Sequence, residues 1–284
     1  MKAAGFRFLR ARCVAEALAL KAEHGEDARF IAGGQSLVPA LNLRLLEPRA
    51  LIDIAGLPEL AGTRIEGDRL VIGALTRHAA LANDPLVAVH APLLLQALPY
   101  VAHAAIRNRG TFGGSVALAD PAAEWPACCL ALDAVMVFAG PGIAGERRIA
   151  AAQFFRGLYA TALGPDDLLL RVEIPCQPAG ARSVALELAR RHGDFAIVGV
   201  AATASSDTLA DPRIAFFGVA DRPLRFATVD RALADAGVDA AAAELARRLE
   251  PVGDLYHSAT TKRHLAGVLL RRAAQQLARV EGGL

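Results

Sequence analysis

The sequence predicts an α+β protein built from three consecutive units. Its 284 residues suffice for one large domain or two to three small ones, and a hydrophobic share of 54% supplies a sizeable core. Short apolar runs typical of strands alternate with longer stretches rich in Ala and Leu that are typical of helices. Turn-rich segments at 56–67 and 175–180 divide the chain, so we expect units at 1–56, 57–175 and 181–284.

The first unit has the order of a strand, a glycine-rich turn, a helix and a second strand. A helix rich in Ala and Leu precedes it and ends at Gly25, a common type of helix stop. Ser36 is a suitable N-cap for the helix after the turn, and Pro39 is tolerated in its first turn. The predicted elements are a helix over 14–24, a strand over 28–32, a helix from Ser36 towards Pro48 and a strand over 50–54.

The second and third units contain the same kinds of segment. Asp120 followed by Pro121 has the pattern of an N-cap with proline at the first helical position. In the second unit we predict strands over 69–73, 134–139 and 168–174 and helices over 76–82 and 92–103, the latter broken near Pro99. In the third unit we predict strands over 195–203 and 213–219 and helices over 229–249 and 260–280.

The charge and cysteine patterns exclude several classes of function. The net charge is +2 with scattered arginines, whereas a nucleic-acid-binding protein usually has a clustered basic face. The most apolar stretch, 86–105, is interrupted by polar residues and prolines, which argues against a membrane span. Residues 1–12 lack the apolar core of a signal peptide, so we expect a cytoplasmic protein. The cysteines lack C-x-x-C spacing and the histidines lack metal-ligand spacing, so we expect no disulfide framework, no iron–sulfur cluster and no metal site.

Two glycine loops are the strongest candidates for a ligand site. The first is Ala32-Gly33-Gly34-Gln35-Ser36, and the second is Thr111-Phe112-Gly113-Gly114-Ser115. Paired glycines let backbone N–H groups approach an anion without a Cβ in the way. Two such loops suit the two phosphates of a dinucleotide, although a tight turn is the simpler explanation of either loop alone. Neither loop matches G-x-G-x-x-G or a P-loop, which disfavours a Rossmann nicotinamide site and an ATPase.

A carboxylate motif follows the second loop. Asp120 and Glu124 lie where they could hydrogen-bond sugar or ribityl hydroxyls of a ligand. Helix capping by Asp120 and a favourable first-turn charge at Glu124 explain the same residues without a ligand, and are the simpler interpretation. The sequence contains no G-x-S-x-G elbow and no recognisable acid–base constellation, so we name no catalytic residue.

The order and spacing of these motifs resemble a known family. The likeness is to the FAD-binding medium subunit of the xanthine dehydrogenase family, and is nearest to aerobic carbon monoxide dehydrogenase. The segments that carry it are AGGQSL at 32–37, IRNRGTFGGS at 106–115 and ADPAAE at 119–124, with ARRHGDFA at 189–196 and HLAGVL at 264–269. The resemblance therefore covers nearly the whole chain, with Phe112 as a departure from the smaller residue usual at its position.

The resemblance implies a two-subdomain FAD-binding fold of the vanillyl-alcohol-oxidase/CO-dehydrogenase flavoprotein type, with a C-terminal α+β domain. It implies that FAD is the cofactor and that both glycine loops hold its pyrophosphate. It assigns Glu124, assisted by Asp120, to the ribityl chain, Leu163 to the surroundings of the adenine and Phe195 to the isoalloxazine ring. Ordinary core packing explains Phe195 equally well. The cofactor-binding residues that we expect are Ala32, Gly33, Gly34, Gln35, Ser36, Thr111, Gly113, Gly114, Ser115, Asp120, Glu124, Leu163 and Phe195.

The resemblance also implies partner subunits. A molybdopterin-binding large subunit would oxidise the substrate, and a small subunit with 2Fe–2S clusters would pass the electrons to FAD on this chain and so to an external acceptor. The implied assembly is a dimer of heterotrimers. We hypothesise that part of the region of Arg107 to Arg109 faces a partner, together with the basic C-terminal helix that contains Lys262, Arg263, Arg271 and Arg272. A solvated charged face is the simpler explanation of the helix, and an exposed turn explains the arginines equally well.

Two other functions stay open on the sequence. A self-sufficient FAD-dependent oxidoreductase would turn over an organic substrate without partner chains. A nucleotide-binding module without redox activity would bind a phosphate ligand and would be colourless when purified.

Overall fold

The computed structural model describes residues 2–141 and 145–278. The first unit is a small parallel sheet with two helices. Its elements are β1 (Arg7–Arg10), α1 (Val14–His24), β2 (Ala28–Ile31), α2 (Leu37–Asn42) and β3 (Ala50–Asp53). The strand order is β1–β3–β2, and Arg7 and Ala28 both lie opposite Ala50. Helix α1 has the predicted ends, and it packs against the sheet through the buried Ala17.

Helix α2 is shorter than predicted. We expected a helix from Ser36 towards Pro48, but it ends at Asn42, and Arg44 adopts a left-handed φ of 56° just beyond it. Leu41 is buried whereas Leu45 is 72% exposed, so a longer helix would have no continuous apolar stripe against the sheet. Ser36 occupies the N-cap position without a side-chain hydrogen bond, so the predicted hydroxyl cap is wrong.

The second unit is built on a five-stranded antiparallel sheet of order β4–β5–β10–β6–β7, beside a separate pair, β8 and β9. Its strands are β4 (Thr63–Glu66), β5 (Arg69–Gly73), β6 (Val135–Ala139), β7 (Arg147–Ala150), β8 (Phe155–Gly157), β9 (Ala160–Thr161) and β10 (Leu168–Pro175). Its helices are α3 (His78–Leu81), α4 (Pro85–His90), α5 (Pro92–Ala97), α6 (Ala104–Arg107), α7 (Phe112–Leu118), α8 (Glu124–Ala131) and α9 (Ala151–Phe154).

Two helix predictions in this unit are wrong in detail. The helix predicted over 92–103 ends as α5 at Ala97, close to the predicted break at Pro99, but it does not resume within that range, because α6 begins only at Ala104. Asp120 does not cap a helix, because α8 begins at Glu124 with Ala123 as its N-cap. The Asp120 carboxylate instead accepts a hydrogen bond from the N–H of Ala122 at 2.9 Å, the pattern of a local aspartate turn.

The third unit is an antiparallel sheet with two long helices on one face. Its elements are β11 (Arg182–Leu188), β12 (Val198–Ala204), β13 (Arg213–Phe217), β14 (Leu224–Arg225), α10 (Ala227–Arg248) and α11 (Ala259–Leu277). The strand order is β11–β12–β13–β14, and α10 is interrupted at Gly237, where φ is 82°. The predicted end of the last helix, at 279–280, lies outside the described residues. Each sheet falls inside one of the three predicted units, and the α+β class is confirmed, while the unit boundaries stay a prediction.

The third unit packs directly on the second through α8. All eight residues of α8 are buried, and its Ala131 carbonyl accepts a hydrogen bond from the Thr203 hydroxyl at 3.2 Å. The N–H of Gly218 donates to the carbonyl of Pro121 at 2.8 Å. The turns on either side of α8 are therefore fixed by the C-terminal domain as well as by their own unit.

Part of the basic surface predicted on α11 is buried. Lys262 is 7% exposed, donates to the carbonyl of Gly218 at 2.9 Å and lies 2.8 Å from an Asp254 oxygen. Lys262 therefore does not face another subunit, because its buried ammonium group is bonded to acceptors within this chain. Arg271 remains on the surface and pairs with Asp239. Within the described ranges, no helix combines the length and the apolar character that a membrane span requires.

Candidate functional site

The two glycine loops meet at Gly33. A Cβ built on Gly33 would lie 2.2 Å from the carbonyl oxygen of Arg109 and 2.8 Å from the Cα of Gly110. Backbone atoms cannot yield to a contact this short, so the absence of a side chain at Gly33 is what permits the approach. The first loop therefore rests on the segment that leads into the second loop.

A cleft of about 620 Å³ opens beside this junction. Its volume is in the range typical of small-molecule sites. A smaller cavity of about 50 Å³ shares Ala32, Gly33, Ala55 and Arg109 with this cleft and is also lined by Leu75, Arg77 and Thr111. The larger cleft is lined by Phe8, Arg10, Ile31, Ala32, Gly33, Gly34, Gln35, Val38, Pro39, Asp53, Ala55 and Arg109. The first loop thus lines the cleft, and Thr111 of the second loop lines the adjoining cavity.

The first loop offers a run of unused backbone donors. Within the described part of the chain, the N–H groups of Gly33, Gly34, Gln35 and Ser36 donate to no protein acceptor. Gly34 has a φ of 71°, and N–H groups that converge around a left-handed residue form a concave site for an anion. The Gln35 side-chain amide donates to the Gly33 carbonyl at 3.0 Å, which braces the loop.

The backbone N–H groups of the second loop already donate to acceptors within the protein. Gly113 and Gly114 lie in the first turn of α7, where the Gly113 N–H donates to the Ala74 carbonyl at 2.9 Å. The Gly114 N–H donates to the Thr111 hydroxyl at 3.1 Å, and the Ser115 N–H donates to the Thr111 carbonyl at 3.1 Å. A Cβ on Gly113 would lie 2.5 Å from the Cα of Ala74. The expectation of free N–H groups on both glycine pairs is therefore right for the first loop and wrong for the second.

A buried hydrogen bond anchors the second loop from behind. The indole N–H of Trp125 donates to Nδ1 of His78 at 3.0 Å, and the His78 backbone N–H donates to the Gly110 carbonyl at 3.1 Å. Burial, together with the nearby charge of Arg107, lowers the pKa of His78 to about 4. The ring is therefore neutral near pH 7 and keeps Nδ1 as an acceptor. Phe112 is fully buried against Trp125, so it packs in the core and does not line the cleft.

The predicted arginine pair has two different roles. Arg107 Nη1 donates to the carbonyls of Val101 and Ala102 at 2.9 and 2.7 Å, so its side chain holds the start of α6 together. Arg109 is exposed and lines the cleft, where its charge can act on an anionic ligand. Of the two, Arg109 is the one available to a ligand.

Asp120 and Glu124 form a second group around the start of α8. Glu124 is 9% exposed, and burial, reinforced by the charge of Asp120, raises its pKa to about 7. Tyr159 donates its hydroxyl to Asp120 at 3.4 Å. Leu163 follows β9 nearby, and its N–H donates to the Thr161 hydroxyl at 3.2 Å.

Phe195 is not part of the core. Its side chain is 70% exposed, so the core-packing interpretation is wrong. The neighbouring Gly193 has a φ of 78°, and a Cβ there would lie 2.9 Å from the Ala102 carbonyl oxygen. The segment is thus docked on the second unit while the Phe195 ring stays available to a ligand or a partner.

The structure divides the predicted site residues into two groups. Ala32, Gly33, Gly34 and Gln35 line the cleft and Thr111 lines the adjoining cavity, whereas the other loop residues, Ser36, Gly113, Gly114 and Ser115, are only their neighbours in sequence. Asp120, Glu124, Leu163 and Phe195 lie outside the lining of both cavities.

Sequence reasoning missed the residues of β1 and β3 that line the cleft. Phe8 and Arg10 are two positions apart on β1 and so share a face, and Arg10 pairs with Asp53 at 3.2 Å. The alternation along β1 was the one signal available, because no motif marks these residues.

Family models and known proteins match the chain over almost all of its length. A model described as the FAD binding domain in molybdopterin dehydrogenase matches residues 4–177, and one described as the CO dehydrogenase flavoprotein C-terminal domain matches residues 186–277. The 6-hydroxypseudooxynicotine dehydrogenase complex subunit alpha of Paenarthrobacter nicotinovorans is 37% identical over 96% of this chain and 94% of its own length.

Solved structures with the same fold come from enzymes whose names refer to different substrates. A carbon monoxide dehydrogenase from Hydrogenophaga pseudoflava aligns with a TM-score of 0.93 at 37% identity, over 98% of both chains. A quinoline 2-oxidoreductase from Pseudomonas putida 86 aligns with a TM-score of 0.91 at 35% identity, again over 98% of both chains. The fold is therefore common to complexes that act on chemically unrelated molecules.

Proposed function

We propose that this chain, which belongs to the FAD-binding medium subunits of the molybdenum hydroxylase family, passes electrons from the 2Fe–2S clusters of a partner through FAD to an external acceptor. FAD is its cofactor, and the chain is a subunit of an oxidoreductase. The observation that carries the proposal is the cleft lined by Gly33, Gly34 and Gln35. The N–H groups of these residues and of the adjoining Ser36 donate to no acceptor in the described chain, and Gly33 lies against the approach to the second glycine loop.

The residues present fit the diphosphate of a flavin dinucleotide. The N–H groups of Gly33, Gly34, Gln35 and Ser36 would donate to the phosphate oxygens, since nothing else in the described chain takes them. Arg109 adds a positive charge at the same opening. The second loop would contribute the side chains of Thr111 and Ser115, while Gly113 and Gly114 keep the helix start close to β5.

The acidic group fits the sugar-like part of the cofactor. Glu124 has a buried carboxyl group without a side-chain partner in the described chain, so a ribityl hydroxyl would satisfy it, with Asp120 assisting. We assign Leu163 to the adenine surroundings and Phe195 to the isoalloxazine ring, because the family likeness supports these roles and the Phe195 ring is free to make such a contact. When bound, FAD stores two electrons and exchanges them one at a time, which joins one-electron clusters to a two-electron acceptor.

The proposed complex contains a molybdopterin-binding large subunit and a 2Fe–2S small subunit, as a dimer of heterotrimers. This division of labour fits a chain whose relatives are subunits of dehydrogenase complexes with different named substrates. The external acceptor would be a quinone, NAD or dioxygen. The proposed compartment is the cytoplasm, because a reducing environment suits a chain with four free cysteines.

The test is a comparison of the purified chain with the reconstituted complex. We expect the chain to bind FAD and show a flavin absorption spectrum, yet to leave its flavin oxidised when it is mixed with a substrate of the complex. Addition of both partner subunits should allow the substrate to reduce the flavin, and omission of the iron–sulfur subunit should abolish that reduction.

Two outcomes would contradict this proposal. Reduction of the flavin by an organic substrate in the isolated chain would favour a self-sufficient FAD-dependent oxidoreductase. A colourless protein that binds a phosphate ligand and no flavin would favour a nucleotide-binding module.

A further inference from the structure

A buried lysine of the first unit reaches the second unit. Lys21 lies in the last turn of α1, and its side chain is 1% exposed. Its ammonium group donates to the carbonyl oxygens of Gly25 at 2.5 Å and Ala28 at 3.0 Å, and lies 3.1 Å from Oδ1 of Asp166. Asp166 belongs to the turn between β9 and β10, so the charge that compensates this buried ammonium group comes from the second unit.

The turn that carries Asp166 is held in a fixed shape. The N–H of Gly164 donates to the Asp167 carboxylate at 2.6 Å, and the N–H of Asp167 donates to the Gly164 carbonyl at 3.1 Å. The Asp167 side chain is buried and pairs with Arg147. Oδ1 of Asp166 is itself buried and accepts no hydrogen bond in the described chain, so the charge of Lys21 is what compensates it. Asp166 is therefore a fixed anchor for the first unit.

Strand β2 is connected to the second unit at both of its ends. At its start, the Ala28 carbonyl accepts a hydrogen bond from Lys21, which lies against Asp166. At its end, β2 leads into the first glycine loop, where Gly33 lies against Arg109. The strand is only four residues long and extended, so a displacement of its start is carried to the loop. The contact of Lys21 with Asp166 therefore bears on the position of the N–H groups beside the cleft.

The remaining contact between the first and second units is largely apolar. The N–H of Val14 donates to the Glu59 carboxylate at 3.0 Å, in the segment that joins the units. Apolar side chains of both units pack in one cluster, which includes Ala11, Ala17, Ile52 and Ile54 from the first unit and Leu75, Ala139, Leu168 and Leu170 from the second. Apolar packing has no directional preference, whereas a buried charge must stay beside its counter-charge. The ion pair is therefore suited to set the orientation of the first unit.

We propose that Lys21 is a positioning residue for the FAD cleft. By joining the Ala28 carbonyl to the Asp166 carboxylate, it fixes the first glycine loop relative to Arg109 of the second unit. The proposal rests on the proposed function, in which the N–H groups of this loop donate to the FAD diphosphate. Lys21 lies outside the lining of both cavities, so it acts through β2 and not by contact with the ligand. Loss of the ion pair should therefore weaken FAD binding while both units stay folded.

The first test uses the full chain without FAD. Residual dipolar couplings of the backbone amides, measured in weakly aligned samples, report how the two units are oriented relative to each other. We expect one alignment tensor to describe both units in the parent and two different tensors to be needed in Asp166→Asn, whose neutral side chain no longer compensates Lys21. Asp27→Asn, which removes an ion pair with Arg49 inside the first unit, should behave as the parent. An unchanged orientation in Asp166→Asn would overturn the proposal.

The second test measures FAD affinity and stability on the same variants. We expect folded Asp166→Asn to bind FAD about tenfold more weakly than the parent, and Asp27→Asn to bind it equally well. A merely structural role of the ion pair would lower the urea midpoint of Asp166→Asn and leave the FAD affinity of the folded chain unchanged, which would refute the positioning role. A parent chain that binds no flavin would refute the proposed function, whereas the dipolar couplings decide without FAD whether the ion pair orients the units.

A double-mutant comparison shows whether Lys21 and Asp166 act through one contact. Lys21→Met should weaken FAD binding at least as much as Asp166→Asn, and the two substitutions together should weaken it little further. Effects that multiply in the double variant would refute a shared contact. If Lys21→Met does not fold, Asp166→Glu takes its place, because it keeps the negative charge and should bind FAD more tightly than Asp166→Asn. Equal FAD affinities of Asp166→Glu and Asp166→Asn would then contradict the proposal.

Discussion

In the first glycine loop the N–H groups of Gly33 and Gly34 have no acceptor in the described chain, whereas in the second loop those of Gly113 and Gly114 bond to Ala74 and Thr111. Both pairs are near residues with hydroxyl groups, and the first glycine of each pair is crowded by backbone. The two glycines approach different parts of the backbone. Gly33 lies against Arg109, which leads into the other loop, whereas Gly113 lies against Ala74, which follows β5.

The difference shows that a repeated motif can serve two purposes. In the first loop, the backbone N–H groups remain available to a ligand, and the left-handed glycine before the helix directs them towards the cleft. The second loop uses its glycines to bring a helix start against β5, so that Thr111 is held at the edge of the same cleft. We therefore expect substitutions in the first loop to weaken FAD binding and substitutions in the second to weaken the fold.

The largest effect on FAD binding should come from Gly33→Ala. The new methyl group would overlap the Arg109 carbonyl oxygen at 2.2 Å and push the loops apart, so we expect at least about a hundredfold weaker FAD binding, or ~2.7 kcal/mol. Gly56→Ala is the matched control, because a Cβ there meets nothing within 4 Å. Fluorescence titration of the refolded or FAD-stripped chains measures both affinities, and unchanged binding in Gly33→Ala would show that the loops need not touch.

Gly113→Ala should instead lower the stability of the fold and leave FAD binding nearly unchanged. Its Cβ would lie 2.5 Å from the Cα of Ala74, and overpacking of this kind costs about 1–3 kcal/mol of stability. We expect a clear fall in the urea midpoint, with FAD binding by the folded fraction changed less than about threefold. Selective loss of FAD at unchanged stability would contradict the structural role of this glycine.

Trp125→Phe should produce a loss of stability of similar size by a different route. The substitution leaves the buried Nδ1 of His78 without its donor, which costs about 1–3 kcal/mol. Urea denaturation at neutral pH, where the lowered pKa keeps His78 uncharged, measures this cost. A variant as stable as the parent would mean that the hydrogen bond behind the second loop contributes nothing.

The smallest effect on FAD binding should come from Arg109→Gln, and it should distinguish the role of Arg109 from that of Arg107. Arg109→Gln removes a solvent-exposed charge from the cleft, so we expect FAD binding to weaken by about 1 kcal/mol, roughly fivefold, and less at high salt. Arg107→Gln should instead reduce stability, since its side chain bonds two carbonyls. Equal losses of FAD affinity in both variants would contradict this division.

The sequence predicted the local elements better than it predicted the state of their polar groups. Helix α1 and strand β5 have the predicted ends because apolar periodicity and glycine stops are local signals. The contact of Gly33 with Arg109 and the pairing of the Gly113 N–H depend on distant segments, which no local pattern encodes.

Backbone amide hydrogen exchange, measured with and without FAD, tests the central claim most directly. We expect fast exchange at Gly33, Gly34, Gln35 and Ser36 in the FAD-free chain and strong protection when FAD binds, because these N–H groups would then donate to the diphosphate. The amides of Gly113 and Gly114 should be protected in both states. Unchanged exchange over 33–36 on FAD binding, with new protection at 113–114, would contradict it.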